Sequence, residues 1–329
     1  MANTTICDLT KDSTPKFKER RRDAHKGDFG RLLLIGGSFG MSGAIAMAGR
    51  AAIVAGAGLV KLAVPESVLP MAACHAPELM SVALQETRSG RIAFAAHDRI
   101  LSLAAEADVV AIGPGLGRSG GLDALVLRLN REIEKPMLID ADALNALAAY
   151  DFETMAASFA GTKADTACRI LTPHPGEFAR LCRGFEATTT EQPTSKNRRA
   201  SKDGKTQDTA ARIDAVCDFL TRLHRCVGRS ASGVILVLKG ANTLITNGDS
   251  VFVNTSGNPG MATGGSGDVL SGMIASLVGQ GFTPFDAAKT GVFLHGRAGD
   301  LALCESRIPF EAITATTLID HIGPAIREL

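Results

Sequence analysis

Arg31-Leu-Leu-Leu-Ile-Gly-Gly37 is a short apolar run closed by a pair of glycines. It shows no alternation of apolar and polar residues, which predicts a strand buried on both faces. The small-residue stretch Ser42 to Ala55 behind it predicts a helix that Gly56 and Gly58 break, and Leu59 to Val64 predicts a second buried strand. The same order recurs. Asp108 to Ile112 ends in Gly113-Pro-Gly-Leu-Gly117, and Met137 to Ile139 ends in Asp140-Ala-Asp142 with a helix from Ala143. Arg169 to Leu171 ends in Thr172-Pro-His-Pro-Gly176 with a helix from Glu177, and Gly233 to Leu238 ends in Lys239-Gly240. Short apolar strands alternating with helices predict an α/β fold, with a mostly parallel sheet covered by helices on both faces. Ligands of such sheets lie beyond the carboxyl ends of the strands, where Gly, His, Asp and Lys gather in this chain.

Away from that repeat the pattern changes. Thr243 to Thr246 and Ser250 to Val253, joined by Asn247-Gly248-Asp249, predict a C-terminal β-hairpin. A glycine-rich loop then leads into a helix from Gly267 to Val278, followed by helices over about Pro284 to Cys304 and Thr314 to Leu329. The chain to about Gly30 is polar and charged, with six basic residues between Lys16 and Lys26. Residues 1–16 are expected to be an N-terminal tail and 17–329 a single catalytic domain. Glu186 to Arg212 is rich in Thr, Ser, Lys, Arg and Gln, with almost no large apolar residue. Such a stretch buries too little surface to offset chain entropy, so it is expected to be a disordered insertion.

Composition excludes several classes. A formal net charge of +1 argues against a nucleic-acid face built from bulk positive charge. With no Trp and one Tyr, stacking on bases or sugars is not an expected theme. Seven cysteines lie scattered with no C-x-x-C pair, against a disulfide framework or a zinc site. Neither a signal peptide nor a membrane span is visible, and a cytoplasmic protein with reduced thiols is expected.

The strongest chemical signal is Asn258-Pro-Gly-Met-Ala-Thr-Gly-Gly-Ser-Gly-Asp268. Its glycines let several backbone N–H groups point into one space, and the helix that follows adds its positive end. Gly265, Ser266 and Gly267 form the expected anion hole. Asp268, in the first helical turn, is placed to take a proton from a hydroxyl beside a transferred phosphoryl group. The plainer alternative is a glycine loop with Asp268 as a capping carboxylate. Gly36-Gly-Ser-Phe-Gly-Met-Ser-Gly-Ala44 is not a P-loop, because no Gly-Lys-Ser/Thr follows. Gly113-Pro-Gly-Leu-Gly-Arg118 is not a dinucleotide fingerprint, because Arg118 stands where the third glycine belongs. His174, between two prolines, either meets a ligand or bonds nearby backbone. Glu177 either caps its helix or helps hold a metal–phosphate complex. Asp140 and Asp142 either bind substrate or water around a metal, or cap a helix. Lys239 is a candidate for phosphate contact, and the small residues after it for an adenine or ribose.

Taken in order, Gly36-Gly-Ser with Ser42-Gly-Ala44, Gly113-Pro-Gly-Leu-Gly117, Asp140-Ala-Asp-Ala-Leu-Asn145, Thr172-Pro-His-Pro-Gly-Glu177, Lys239-Gly-Ala-Asn-Thr243 and Gly264-Gly-Ser-Gly-Asp268 resemble the ADP-dependent NAD(P)H-hydrate dehydratase family. The resemblance spans about Phe17 to Leu329 outside the insertion. It implies a ribokinase-like fold and repair of hydrated NADH or NADPH. The implied mechanism is phosphorylation of the ring hydroxyl by ADP (ATP in eukaryotic relatives), then loss of phosphate to restore the double bond, with release of AMP. By motif, Ala44, Gly115, Gly117, His174 and Asp268 are implied for the hydrate. Lys239, Gly240, Ala241, Asn242, Thr243 and Gly267 are implied for the adenine nucleotide.

Mg²⁺ is implied with the phosphates, Glu177 being a weak candidate ligand. A homo-oligomer, a tetramer by family, is implied too. Many relatives carry an N-terminal epimerase domain; none is expected in this chain, so a separate NAD(P)H-hydrate epimerase is the expected functional partner. The insertion departs from the family, as does Ser266, where relatives often have Thr. The rival readings are a vitamin-precursor kinase of the same fold and a non-catalytic nucleotide-binding module.

Overall fold

The computed structural model describes residues 5–163, 166–183, 204–228 and 233–329, with the backbone alone at 204–208. The run at 31–35 shows why these strands lack alternation. Leu32 and Leu34 are buried in one core cluster, while Leu33 and Ile35 are buried in a second cluster on the opposite face.

Strand β1 (Thr5–Leu9) comes first, then β2 (Arg31–Ile35), α1 (Ser42–Val54), β3 (Leu59–Pro65), α2 (Leu69–Ala73) and β4 (Met80–Leu84). They are followed by α3 (His97–Ala105), β5 (Val109–Ile112), α4 (Gly120–Glu132), β6 (Met137–Ile139), α5 (Ala141–Leu147) and α6 (Phe152–Ala157). Next come β7 (Arg169–Leu171), α7 (Pro175–Cys182), α8 (Gly204–Val227), β8 (Val234–Leu238), β9 (Thr243–Thr246) and β10 (Ser250–Asn254). Helices α9 (Ser266–Gly279), α10 (Pro284–Cys304) and α11 (Ala315–Arg327) complete the chain.

The strands form one ten-stranded sheet in the order β1-β10-β9-β8-β7-β6-β5-β2-β3-β4. All neighbours pair in parallel except β9, which runs against both β8 and β10. One core cluster joins the sheet to α1, α9, α10 and α11, and the other joins it to α3 through α8. Among the described residues no helix is long and apolar enough to cross a membrane. No disulfide joins any of the seven cysteines.

Two expectations need correction. The tail expected over 1–16 contains β1, which pairs in parallel with β10 from Thr5 opposite Ser250 to Leu9 opposite Asn254. Backbone bonds hold this edge strand. Only its last residue, Leu9, is buried, so little apolar signal marks it. Of the insertion expected over 186–212, residues 186–203 lie outside the described residues, but 204–212 open helix α8. The residues that bury this helix, Val216, Phe219, Leu220 and Leu223, all follow position 212.

Packing also fixes the strand-end geometry. A side chain at Gly272 in α9 would collide with the Ala48 carbonyl oxygen in α1, so the two helices touch backbone to backbone. Arg169, 1% exposed, opens β7 and has no carboxylate partner among the described residues. Its guanidinium donates to Asn130 Oδ1 and to the carbonyls of Asn130, Ile133, Lys135, Ala167 and Cys168. These carbonyls disperse a charge that burial would otherwise penalise heavily, although burial still pushes its pKa down to about 10.

Candidate functional site

The turns at the carboxyl ends of the strands are stitched into a row. Gly37 N–H donates to Pro114 O at 2.8 Å and Gly113 N–H to Ile35 O at 3.1 Å, joining the turns after β2 and β5. Ser38 Oγ donates to Gly115 O at 2.9 Å. Gly115 holds a left-handed φ of +62°, and a Cβ there would stand 2.5 Å from Met41 O and 3.0 Å from Ala44 Cβ. Ala44 therefore packs directly against Gly115, an approach that only a glycine at this position permits. The N–H of Gly117 donates to Asp142 Oδ2 at 2.9 Å, so Asp142 braces this turn.

The glycine-rich turn before α9 lies at the same end of the sheet. Gly265 caps the helix in the left-handed conformation with φ 87°; among the described residues no side chain caps this helix start, and Ser266 N–H makes only a long bond to Thr263 O, at 3.4 Å. That leaves a positively polarised end open to an anion. Ser266 Oγ lies 3.3 Å from His295 Nε2. A Cβ on Gly267 would stand 3.2 Å from Lys239 Nζ and 4.0 Å from Asp140 Oδ2, so the glycine keeps the ammonium next to the helix start. Lys239 Nζ donates to Asp140 Oδ1 at 2.7 Å, and Asp140 Oδ2 accepts from Ser271 Oγ at 2.6 Å. Glu177 Oε2 is 4.0 Å from the same ammonium. Ala141, which follows Asp140, has a φ of 49°. Such strain in a non-glycine residue tends to gather at functional sites.

These groups set the charge on Asp268, the third residue of α9. Burial and then the neighbouring Asp140 push its pKa up to about 7, against the pull of Lys239. No protein group hydrogen-bonds the Asp268 carboxylate among the described residues. It is thus a base poised near neutral pH with its oxygens available, which is what proton abstraction from a hydroxyl requires. Burial works against the Lys239 ammonium, but Asp140 and Glu177 outweigh it and hold the pKa above that of an ordinary lysine. Lys239 therefore stays cationic beside the helix start. Burial raises Glu177, opposed by Lys239. Burial also pushes His295 down to about 4, so the ring that meets Ser266 is neutral.

Both plain readings of the Pro-His-Pro corner hold. His174 Nδ1 accepts from the N–H groups of Gly176 and Glu177, and Glu177 Oε2 accepts from His174 N–H at 2.8 Å, a reciprocal cap on α7. Roughly half of the imidazole remains exposed, with Nε2 3.4 Å from Glu177 Oε1. Glu177 is thus a capping residue facing Lys239. Among the described residues no group of three or more His, Cys, Asp or Glu side chains is arranged to hold a metal.

The 239–243 segment stands beside this corner. Lys239 N–H donates to Pro173 O at 2.8 Å. Gly240 and Asn242 take φ values of 136° and 54°, and Thr243 Oγ1 closes the turn on Gly240 O at 2.8 Å. Arg212 donates to Ala241 O at 2.7 Å. A cleft of about 470 Å³ opens between Pro175, Phe178, Arg212, Gly240 and Ala241.

The structure therefore brings Ala44, Gly115 and Gly117 together at one part of the row. It brings Lys239 and Gly267 together at another, with Asp268 electrostatically coupled to Lys239. Two participants escape a reading of the sequence. Asp140 is visible at a strand end, but its pairing with Lys239 and Ser271 joins residues 99 and 131 positions away. His295, in mid-helix and without ligand-like spacing, reads as ordinary, and only the packing of α10 on α9 carries it to Ser266.

Comparison with known proteins identifies the family. A family profile described as NAD(P)H-hydrate dehydratase matches residues 32–323. The bifunctional NAD(P)H-hydrate repair enzyme Nnr of Thermofilum pendens is 38% identical over 97% of this chain and 54% of its own length. The chain thus spans about half of that relative. The ADP-dependent (S)-NAD(P)H-hydrate dehydratase of Neisseria meningitidis is 37% identical over 95% of this chain and 89% of its own length. Among solved structures, the ADP/ATP-dependent NAD(P)H-hydrate dehydratase of Bacillus subtilis, co-crystallised with ATP and Mg²⁺, matches with a TM-score of 0.70. It covers 98% of each chain at 25% identity.

Proposed function

This chain belongs to the NAD(P)H-hydrate dehydratase family, and on that premise we propose that it is an ADP-dependent (S)-NAD(P)H-hydrate dehydratase, a hydro-lyase that repairs nicotinamide nucleotides. The observation that carries this reading is Asp268, with a pKa of about 7 at the start of α9 and coupled to the cationic Lys239.

In this reading the hydrate lies against Ala44, Gly115, Gly117 and His174 with its ring hydroxyl at Asp268. The adenine nucleotide lies along Lys239, Gly240, Ala241, Asn242 and Thr243 and reaches Gly267. Asp268 takes the hydroxyl proton as the oxygen attacks the β-phosphorus of ADP. The bond from that phosphorus to the bridging oxygen breaks, and AMP leaves. Lys239 and the backbone N–H groups of Gly265, Ser266 and Gly267 stabilise charge on the moving phosphoryl oxygens. The ring C–O bond of the new ester then breaks with loss of a proton from the neighbouring carbon. Inorganic phosphate departs into the same anion hole and the double bond is restored. Phosphate is a far better leaving group than hydroxide, so the nucleotide removes the chemical obstacle.

Mg²⁺ bound with ADP would add charge neutralisation on the phosphates. With no protein-only cage among the described residues, the donor set fits an ion held mainly by phosphate oxygens and water, with Asp140 or Glu177 within reach. The reading includes a cytoplasmic homo-oligomer working with an epimerase on the same damaged cofactor. Purified protein given hydrated NADH, ADP and Mg²⁺ should restore the reduced-nicotinamide absorbance and release one phosphate per AMP. A stable phosphorylated product without NADH would instead mark a simple kinase.

A further inference from the structure

The connection from β4 to α3 carries a small hairpin whose ends bridge Glu86 to Ile92. It is fastened to the turn after β2 by Phe39 N–H donating to Gly90 O at 2.9 Å. Arg91 leaves this hairpin toward the turn after β5. Its Nε and Cδ lie 3.0 and 3.2 Å from where a Cβ on Gly117 would stand. Its guanidinium donates to Ser89 Oγ at 2.8 Å and makes no ion pair with a carboxylate among the described residues. Phe39, 70% exposed, stands beside the same hairpin.

Sheet order gives this arrangement its meaning. The 239–243 segment follows β8, Gly115 and Gly117 follow β5, and the Arg91 hairpin follows β4, three strands beyond β5. A dinucleotide whose ring hydroxyl lies at Asp268, with ADP occupying the β8 side, must extend its own phosphates toward β2, β3 and β4. At the ring end Asp140, Glu177 and Asp268 outnumber the one ammonium of Lys239, so an anionic substrate gains from a further cation near the Gly117 turn. An arginine without a carboxylate partner, braced at one nitrogen, supplies a planar fork for phosphate oxygens.

We propose, building on the dehydratase reading, that Arg91 is a substrate-selecting residue that binds a phosphate group of the dinucleotide hydrate across Gly117. The source of that phosphate is either the pyrophosphate shared by both hydrates or the 2′-phosphate present only in the NADPH hydrate.

Steady-state kinetics of wild type, Arg91→Lys and Arg91→Gln with each hydrate test this. Loss of a charge-assisted hydrogen bond predicts a rise of about 10- to 100-fold in the hydrate KM of Arg91→Gln. The kcat and the KM for ADP should stay within about twofold, and Arg91→Lys should recover part of the loss. An equal rise for both hydrates identifies the pyrophosphate, and a rise confined to the NADPH hydrate identifies the 2′-phosphate. An unchanged KM for both, or a rise in the KM for ADP instead, overturns the assignment. Should wild type itself fail to dehydrate either hydrate, the dehydratase reading fails separately. Calorimetric titration of the same variants with NADH and NADPH then decides whether Arg91 binds the dinucleotide phosphates.

Discussion

Lys239 Nζ and Asp140 Oδ1 meet at 2.7 Å although one residue follows β8 and the other follows β6, with β7 between those strands. Asp140 is 1% exposed, and this ammonium and the Ser271 hydroxyl are its hydrogen-bond partners. Removing one partner of a buried pair leaves an uncompensated charge and costs about 3–5 kcal/mol. Lys239→Met should therefore lower unfolding free energy by that order in urea titration, and adding Asp140→Asn should recover much of it. A Lys239→Met variant as stable as wild type would show that the pair does not hold the strand ends together.

Asp268→Asn keeps the shape of the site and removes the base. Turnover should fall about 10²- to 10⁴-fold, the usual contribution of a positioned general base, while ADP affinity by calorimetry stays within about threefold. Substantial residual turnover would remove Asp268 from the chemistry and leave it as a helix cap.

The pKa of about 7 gives this carboxylate a signature in pH. As a base it must be ionised, so kcat/KM for the hydrate should rise tenfold per pH unit below about 7 and level off above. Its effect on stability runs the other way. The folded-state value lies above the ordinary 3.8, so the folded protein holds the proton more tightly than the unfolded chain. Stability from this group is full below 3.8, declines as pH rises toward about 7 and is constant above. Asp268→Asn, neutral throughout, should gain in Tm over wild type across that interval. A Tm difference that does not vary with pH would argue that the carboxylate is solvated.

Gly115→Ala tests the shape of the cleft. The alanine would have to adopt φ +62° with its Cβ 2.5 Å from Met41 O. The backbone conformation alone costs about 1–2 kcal/mol. The expected result is a raised KM for the hydrate with the KM for ADP unchanged, since the strain falls on the turn that faces Ala44. Equal effects on both substrates would place the turn between the two sites.

Arg169→Met separates architecture from chemistry. The change strands the acceptors that now share the guanidinium, at about 1–3 kcal/mol for each group left dry. A several-degree loss in Tm is expected, with the KM values of the folded fraction intact.

Much of this molecule is legible in its sequence. The unbroken apolar runs at 31–35 and 234–238 announce strands covered on both faces, and the Asn247-Gly248-Asp249 turn announces the hairpin at β9 and β10. Glycine turns at 36–37, 113–117 and 264–267 locate the working end of the sheet. What escapes is whatever depends on a partner distant in sequence. Thr5–Leu9 becomes a strand because β10 offers it a free edge, not because its own residues demand burial. Residues 204–212 are helical because the turns that follow bury Val216 and Phe219. Asp140 and His295 acquire roles through Lys239, Ser271 and Ser266, and local spacing carries no trace of those contacts.

The missing methyl at Gly272 has a reach beyond its own position. Helix α1 begins at the turn that carries Ala44 and α9 at the turn that carries Asp268, so the seam between Ala48 and Gly272 acts as a ruler for the spacing of those two turns. Variation among descendants of this chain can redraw the outer loops and change which molecules are admitted. Lengthening that seam by one carbon would put both turns out of step at once, so tolerance to substitution should be low even at a position remote from both turns.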